Sequence, residues 1–324
     1  MLRRLLISAF VIAAALAAIY LAGPRIAADT EVTFDASAID GNPAAFIAES
    51  EGKVEGIRDD LGKEIVWADP GSQAKTPLSI VYIHGFSASK SEIRPVPDEI
   101  AAELNANLFF TRLTGHAQDG AAMGRASLND WINDTAEALA IGRAIGENVV
   151  VIATSTGGSL ATWAATRPEL MQDVAGIVLI SPNYGIQASG AWLLTMPWGR
   201  QIAELVIGAE RSFEPLNELH GKGWTTTYPV SALLPMAAAT ELARDAPVEE
   251  VEMPALFIFS DADRVVVPEL TRRVAERWGG PHETMVVEGS DDPVHHVIAG
   301  DALSPSTNAL VAGRVSQWIS SLPR

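Results

Sequence analysis

The sequence predicts an α/β fold organised around a mostly parallel sheet with helices on both faces. Three observations point to it. From about residue 50, strand-like and helix-like segments alternate along the chain. The strand-like segments are short β-branched or aromatic runs without polar alternation, as expected of strands covered on both faces. One of them, Val149-Val150-Val151-Ile152, runs directly into Ala153-Thr154-Ser155-Thr156-Gly157 and then into a helical segment.

The elements follow in order. Residues 64–68 read as an early strand, closed by the turn residues Pro70-Gly71-Ser72. Residues 78–83 form a buried strand ending at His84-Gly85-Phe86. Residues 97–104 form a helix with Pro97 in its first turn and Asp98 and Glu99 where acids complement the helix dipole. Residues 107–111 are a strand and 130–145 a long amphipathic helix leading to the strand before Ser155. A helix over 159–166 follows, then strands over 175–180, 255–259 and 283–287.

Between Ser181-Pro182 and Met253-Pro254 the rhythm breaks. The stretch holds Trp192, Trp198 and Trp224, a helical segment near 201–207 and several prolines, and it is too long for an αβ connection. It reads as a cap inserted over the carboxyl ends of the strands, its tryptophans either lining an acyl pocket or, more simply, packing the cap on the core. The chain thus divides into an N-terminal segment (1–28), a core (29–182 and 250–324) and a cap (183–249).

Residues 5–22 are almost unbroken apolar, interrupted by Ser8 and Tyr20, and follow Arg3-Arg4. The run is long enough to span a bilayer, and the arginines favour a cytoplasmic N-terminus. Ile26-Ala27-Ala28 before Asp29 offers a cleavage site. The segment is therefore an uncleaved anchor in the inner membrane, with the body facing the periplasm or exterior, or a cleaved signal releasing it there; a helix packed on the core is the third option.

The net charge of the whole chain is −17. Residues 1–28 hold three arginines and no acid, so the remainder carries 20 basic against 40 acidic residues, a net −20. Such a body repels nucleic acid and anionic headgroups, which excludes a nucleic-acid partner and leaves the N-terminal segment as the route to a membrane. With no cysteine, disulfides, thiolate metal sites and a Cys nucleophile are excluded. The pairs Asp59-Asp60 and Asp291-Asp292 lack metal-ligand spacing and read as solvated loops.

Small-x-Ser-x-small at a strand-to-helix turn is the setting of a nucleophile elbow. A hydroxyl at the tip of a sharp, strained turn leaves no room for large side chains two residues either side, and those places hold Ala153 and Gly157. A serine nucleophile needs a base, and the base needs a carboxylate to fix its tautomer and stabilise the imidazolium. Asp261 and Asp263 follow the strand over 255–259, and His295 and His296 follow the last strand. The order Ser…Asp…His, each beyond a separate strand, is that of an α/β-hydrolase.

The chain resembles α/β-hydrolases of the carboxylesterase and monoacylglycerol-lipase type. The likeness rests on His84-Gly85-Phe86-Ser87-Ala88-Ser89, Glu92-Ile93-Arg94-Pro95, Arg112-Leu113-Thr114-Gly115-His116 and Trp131-Ile132-Asn133-Asp134, together with the Ser155 elbow, Ser260-x-x-Asp263 and His296-Val297-Ile298. It covers roughly residues 76–182 and 250–324. The resemblance implies an α/β-hydrolase fold with an inserted cap, Ser155 as nucleophile, Asp263 rather than Asp261 as acid, and His296 rather than His295 as base. It also implies backbone N–H groups of Phe86 and Thr156 as oxyanion donors, and structural roles for His84 and His116 at the site rim. The activity implied is hydrolysis of acylglycerols or other short-to-medium esters through an acyl-enzyme, with no metal or cofactor. Thioesterase, peptidase or acyltransferase chemistry on the same residues, and a non-catalytic anchored protein on this fold, are the alternatives. Dehalogenase and epoxide-hydrolase chemistry is disfavoured, because those families place an Asp where this chain has Ser155. Three departures from the family pattern, Ala117, Ala153 and Ser260 in place of glycine, are expected to be tolerated if the local φ stays negative.

Overall fold

The computed structural model describes residues 2–323. Helix α1 (Leu2–Leu21) comes first and buries none of its residues. Helix α2 (Pro43–Gly52) packs through Ile47 on the core, strand β1 (Glu64–Val66) follows, and β2 (Thr76–Ile83) is the first long strand. Then come α3 (Val96–Leu104), β3 (Asn107–Phe110), α4 (Gly120–Arg125), α5 (Leu128–Ile145), β4 (Gly146–Thr154), α6 (Thr156–Ala165) and β5 (Val174–Ile180). Between β5 and the next sheet strand lie α7 (Gly199–Ile207), the short antiparallel pair β6 (Glu210–Ser212) and β7 (Thr227–Pro229), α8 (Glu218–Gly223) and α9 (Leu233–Arg244). The chain closes with β8 (Ala255–Phe259), α10 (Pro268–Arg277), β9 (His282–Val286) and α11 (Asn308–Ser321).

The seven-stranded sheet has the order β1-β3-β2-β4-β5-β8-β9. Only β1 runs antiparallel, on the edge; the other pairs are parallel, as the buried runs predict. Successive side chains of a strand point to opposite faces, and the two cores divide accordingly. Val81, Ile83, Val149, Val151, Ile177, Leu179 and Phe257 share one face with residues of α5 and α6. Ile80, Tyr82, Val150, Ile152, Val178, Ile180 and Leu256 share the other with residues of α3 and α11. Every β-branched residue in the middle of β4 is therefore covered, and polar alternation has no place there.

Element boundaries differ from the sequence reading at informative places. Helix α5 begins at Leu128 because Ser127 and Asp130 form a reciprocal capping box that the apolar pattern does not reveal. Helix α6 begins at Thr156 rather than 159. The Gly157-Gly158 pair argues against helix by propensity, yet the turn at Ser155 delivers the chain straight into it.

The segment before the sheet is tied down by charge as well as packing. Glu51 of α2 pairs with the buried Arg112 at 2.8 Å, and Lys63 pairs with Glu137 of α5. The segment after β5 is fastened to the core by backbone and side chains alike. Thr225 N donates to Ser87 O at 2.7 Å, and Arg58 Nη1 donates to the carbonyls of Lys222 and Trp224. Glycine is required where this segment meets α4: a Cβ on Gly120 would lie 2.1 Å from Thr227 O. Its tryptophans do different things. Trp224 is buried edge-on against His220, Trp192 is exposed, and Trp198 donates from Nε1 to Ile19 O at the end of α1.

Candidate active site

Ser155 is held at φ 51°, ψ −115°, a backbone conformation costly for any residue with a Cβ. Three hydrogen bonds hold it there. Its N–H donates to Ile180 O of β5, and its carbonyl accepts from Ser159 N and Asn183 N. The glycine two residues on is dictated by the strand beside it, since a Cβ on Gly157 would stand 2.3 Å from Ile83 O and 2.6 Å from His84 O. Ala153, two residues before, sits in β4 with ordinary backbone and is fully buried.

His296 brings Nε2 to 3.0 Å from Ser155 Oγ and Nδ1 to 2.8 Å from Asp263 Oδ2. All three side chains are buried. Asp263 Oδ1 accepts from Val265 N and Val266 N at 2.7 and 2.9 Å, which aims the other oxygen at the imidazole. Burial pushes the His296 imidazolium down, but the Asp263 carboxylate, with Glu92 and Asp292 adding to it, outweighs burial and raises the pKa above the ordinary 6.5.

The alternative residues lie apart. Asp261 is exposed and pairs with Arg272. His295 turns away in the left-handed region at φ 53° and brings Nδ1 to 2.9 Å from Ser290 Oγ. His84 receives the N–H of Leu113 on Nε2 and bonds Gly85 O through Nδ1, and burial lowers its pKa to about 4. His116 is buried and lowered well below its ordinary value, and it lies against His84, Phe86 and Trp131. Neither imidazole hydrogen-bonds Ser155.

Two expectations are corrected. Asp292 is not a solvated loop carboxylate. It is buried, and its Oδ2 accepts from His296 N and Val297 N, both at 2.9 Å, while Oδ1 accepts from Val294 N. It builds the loop that presents His296. An Asp four residues before a His is the one sequence signal for this role, and it carries little weight without the fold. The condition set for Ala117, a negative φ, is not met: it stands at φ 58°. Its carbonyl accepts from Arg58 N at 2.8 Å, and the left-handed backbone is one that glycine adopts more easily than alanine.

The oxyanion candidates flank Ser155. Thr156 opens α6, where the first N–H groups have no intrahelical acceptor, and Phe86 follows the end of β2. Among the described residues, neither N–H is engaged by a protein acceptor. A Cβ on Gly85 would lie 3.1 Å from Ser155 Cβ, so the Phe86 loop passes directly beside the nucleophile candidate.

The Alpha/beta hydrolase family model matches residues 80–302. This chain is an α/β-hydrolase. The hydrolase is 27% identical over 203 residues to a thermostable monoacylglycerol lipase of Bacillus sp. (strain H-257), the match covering 62% of this chain and 76% of that protein. Among solved structures, a metagenome-derived lipolytic enzyme of the LipS and LipT pair superposes with a TM-score of 0.66 at 20% identity, over 82% of this chain and 99% of its own. A soluble variant of the monoglyceride lipase of Saccharomyces cerevisiae superposes with a TM-score of 0.60 at 12% identity, over 80% and 90%. At these identities the two structures share the fold with this hydrolase.

Proposed function

We propose that this hydrolase is a serine esterase cleaving carboxylic esters, of acylglycerols or other short-to-medium acyl groups, with Ser155, His296 and Asp263 as its triad. The observation that carries the reading is the continuous chain from Ser155 Oγ through the imidazole to a carboxylate, at 3.0 and 2.8 Å, with the serine at the tip of a strained turn. The lipase named among its relatives supports the ester class.

The chemistry follows from the geometry. His296 Nε2 takes the Ser155 proton as Oγ attacks the acyl carbonyl, and Asp263 stabilises the imidazolium without itself becoming protonated. Phe86 and Thr156 N–H groups receive the developing oxyanion. His296 returns the proton to the leaving alcohol, and water activated by the same imidazole clears the acyl-enzyme. Residues 183–249 form the cap over this site, with Tyr228 packed edge-on against Phe86 at 5.2 Å.

We further propose that α1 carries the protein out of the cytoplasm, as an anchor or as a signal removed near Ala28. Its mean hydropathy of 2.2 over a membrane-length helix supports this, as does its complete exposure.

The test is labelling with a fluorophosphonate beside a panel of p-nitrophenyl esters of increasing chain length, thioesters and peptides. Ser155 is expected to carry the label and esters to turn over fastest. Ser155→Ala should abolish labelling and lower turnover on the order of 10³-fold or more, leaving the residual catalysis of the oxyanion donors. Normal ester turnover by that variant refutes the nucleophile; preference for thioesters or peptides refutes the substrate class.

A further inference from the structure

Glu92 is a carboxylate that the chemistry above leaves unused. It is 2% exposed, and among the described residues no cation pairs with it: Lys90 pairs with Glu64, and Arg94 with Glu64 and Asp98. An isolated carboxylate in such a place is expensive unless donors surround it. Its Oε2 accepts from Gly85 N at 2.8 Å and from the Tyr82 hydroxyl at 2.7 Å, and that hydroxyl lies 3.2 Å from Thr154 Oγ1. One oxygen thus gathers the residue before Phe86 and, through Tyr82, the residue before Ser155. Its other oxygen approaches the same glycine: a Cβ on Gly85 would stand 2.6 Å from Glu92 Oε1 and 3.1 Å from Ser155 Cβ. The carboxylate and Ser155 Cβ thus both border the space that a side chain on Gly85 would fill.

We propose that Glu92 is a positioning residue for the reaction, holding the Gly85–Phe86 turn so that the Phe86 N–H faces the oxyanion, and adding to Asp263 and Asp292 a further buried carboxylate that favours the imidazolium of His296. It touches no substrate atom, and the proposal rests on the triad reading given above. Phe86 is then gripped from two sides, by Glu92 within the core and by the inserted segment, where Thr225 N holds Ser87 O. The charge argument has support from both partners. Burial raises the Glu92 carboxyl above its ordinary value, and the Tyr82 and Gly85 bonds and the charge on His296 offset part of that rise. Burial, and then the Glu92 charge, hold the Tyr82 phenol well above its ordinary value, so it remains a neutral donor. The other groups bearing on His296 are Asp263 from the loop after β8 and Asp292 from its own loop; Asp292 in turn acts on His220 of α8.

Glu92→Gln separates charge from scaffold, because the amide keeps an acceptor oxygen and the side-chain shape. His296 is titrated by NMR in protein carrying ¹³Cε1-labelled histidine, a readout independent of turnover, and kcat/KM is followed against pH. The expected result is a fall of both midpoints by about half a unit or more in Glu92→Gln. Tyr82→Phe and Glu92→Ala, which loosen the turn, should lower kcat by about 10-fold or more with little change in KM for a short ester. Should Glu92→Ala fail to fold, Glu92→Gln and Tyr82→Phe decide. An unmoved His296 titration in Glu92→Gln overturns the charge role. Unchanged kcat in Tyr82→Phe, and in Glu92→Ala where it folds, overturns the positioning role. Fluorophosphonate labelling of wild-type Ser155 is the control: its failure refutes the triad, whereas labelling with unmoved Glu92 variants refutes only this proposal.

Discussion

At φ 51°, ψ −115°, Ser155 stores strain that its bonds with Ile180 O, Ser159 N and Asn183 N over-determine, and of the paired candidates only His296 and Asp263 are turned toward it. His296→Ala is expected to cripple ester turnover on the order of 10³-fold or more while His295→Ala, whose ring bonds Ser290, costs far less. Asp263→Asn should cost on the order of 10³-fold or more against a small effect for Asp261→Asn, since an amide holds the wrong imidazole tautomer. Steady-state kinetics on the four variants checks both contests, and a reversed ranking moves the role to the neighbour. Asp292→Ala should destabilise the fold by about 1–3 kcal/mol, measured by urea denaturation, because it strips the acceptor from the N–H groups of Val294, His296 and Val297. Turnover should fall with it as the imidazole loses its platform.

The pH dependence belongs to the same scale. In the proposed mechanism His296 must be neutral to accept the Ser155 proton, and Asp263 stabilises its charged form. The inactive imidazolium therefore persists to higher pH than in a free histidine. kcat/KM should rise as pH climbs through a midpoint above 6.5, not below it. A profile flat down to pH 4 would exclude a histidine base.

Among elements, the contact between the end of β2 and the start of α6 constrains the nucleophile turn directly. Gly157→Ala drives a methyl to 2.3 Å from Ile83 O, a backbone atom that cannot swing aside. The elbow or the sheet must shift, at about 1–3 kcal/mol, and the Ser155–His296 distance with it. Turnover should drop more steeply than the urea midpoint, because a small displacement suffices to break the alignment. Where α4 meets β7 the same logic applies to the inserted segment. Gly120→Ala presses on Thr227 O and Tyr228, so its effect should appear in KM for longer acyl esters, through Tyr228 and Phe86, rather than in labelling of Ser155.

For the whole molecule, the sheet and both cores are complete without α1, none of whose residues is buried. The apolar run is thus no helix of the core. Its end touches the body through Trp198, which donates from Nε1 to Ile19 O and from N to Pro24 O. Deleting residues 1–28 should give a soluble protein that retains ester activity, whereas the full chain should partition with membranes unless processed near Ala28. Fractionation with mass spectrometry of the mature N-terminus checks this, and a soluble, unprocessed full chain in the cytoplasm would refute both anchor and signal.

The sequence by itself determined the parallel sheet, the elbow at Ser155 and the order Ser…Asp…His, because each is a local matter. A strand buried on both faces needs an unbroken apolar run, and a tight turn needs small residues beside it. Asp263 and His296 needed a family resemblance to be preferred over Asp261 and His295, since adjacent loop residues look alike until the fold turns one inward. Tertiary structure alone brought His296 between Ser155 and Asp263 across 141 and 33 residues of chain. It alone turned Asp292 from a loop acid into the platform for the histidine, set Ala117 at positive φ with its carbonyl bonded by Arg58 N, and placed Glu92 behind Gly85. At Asp292, Ala117 and Glu92 the partners include backbone N–H groups, which nearly every residue carries and which therefore leave no trace in the sequence.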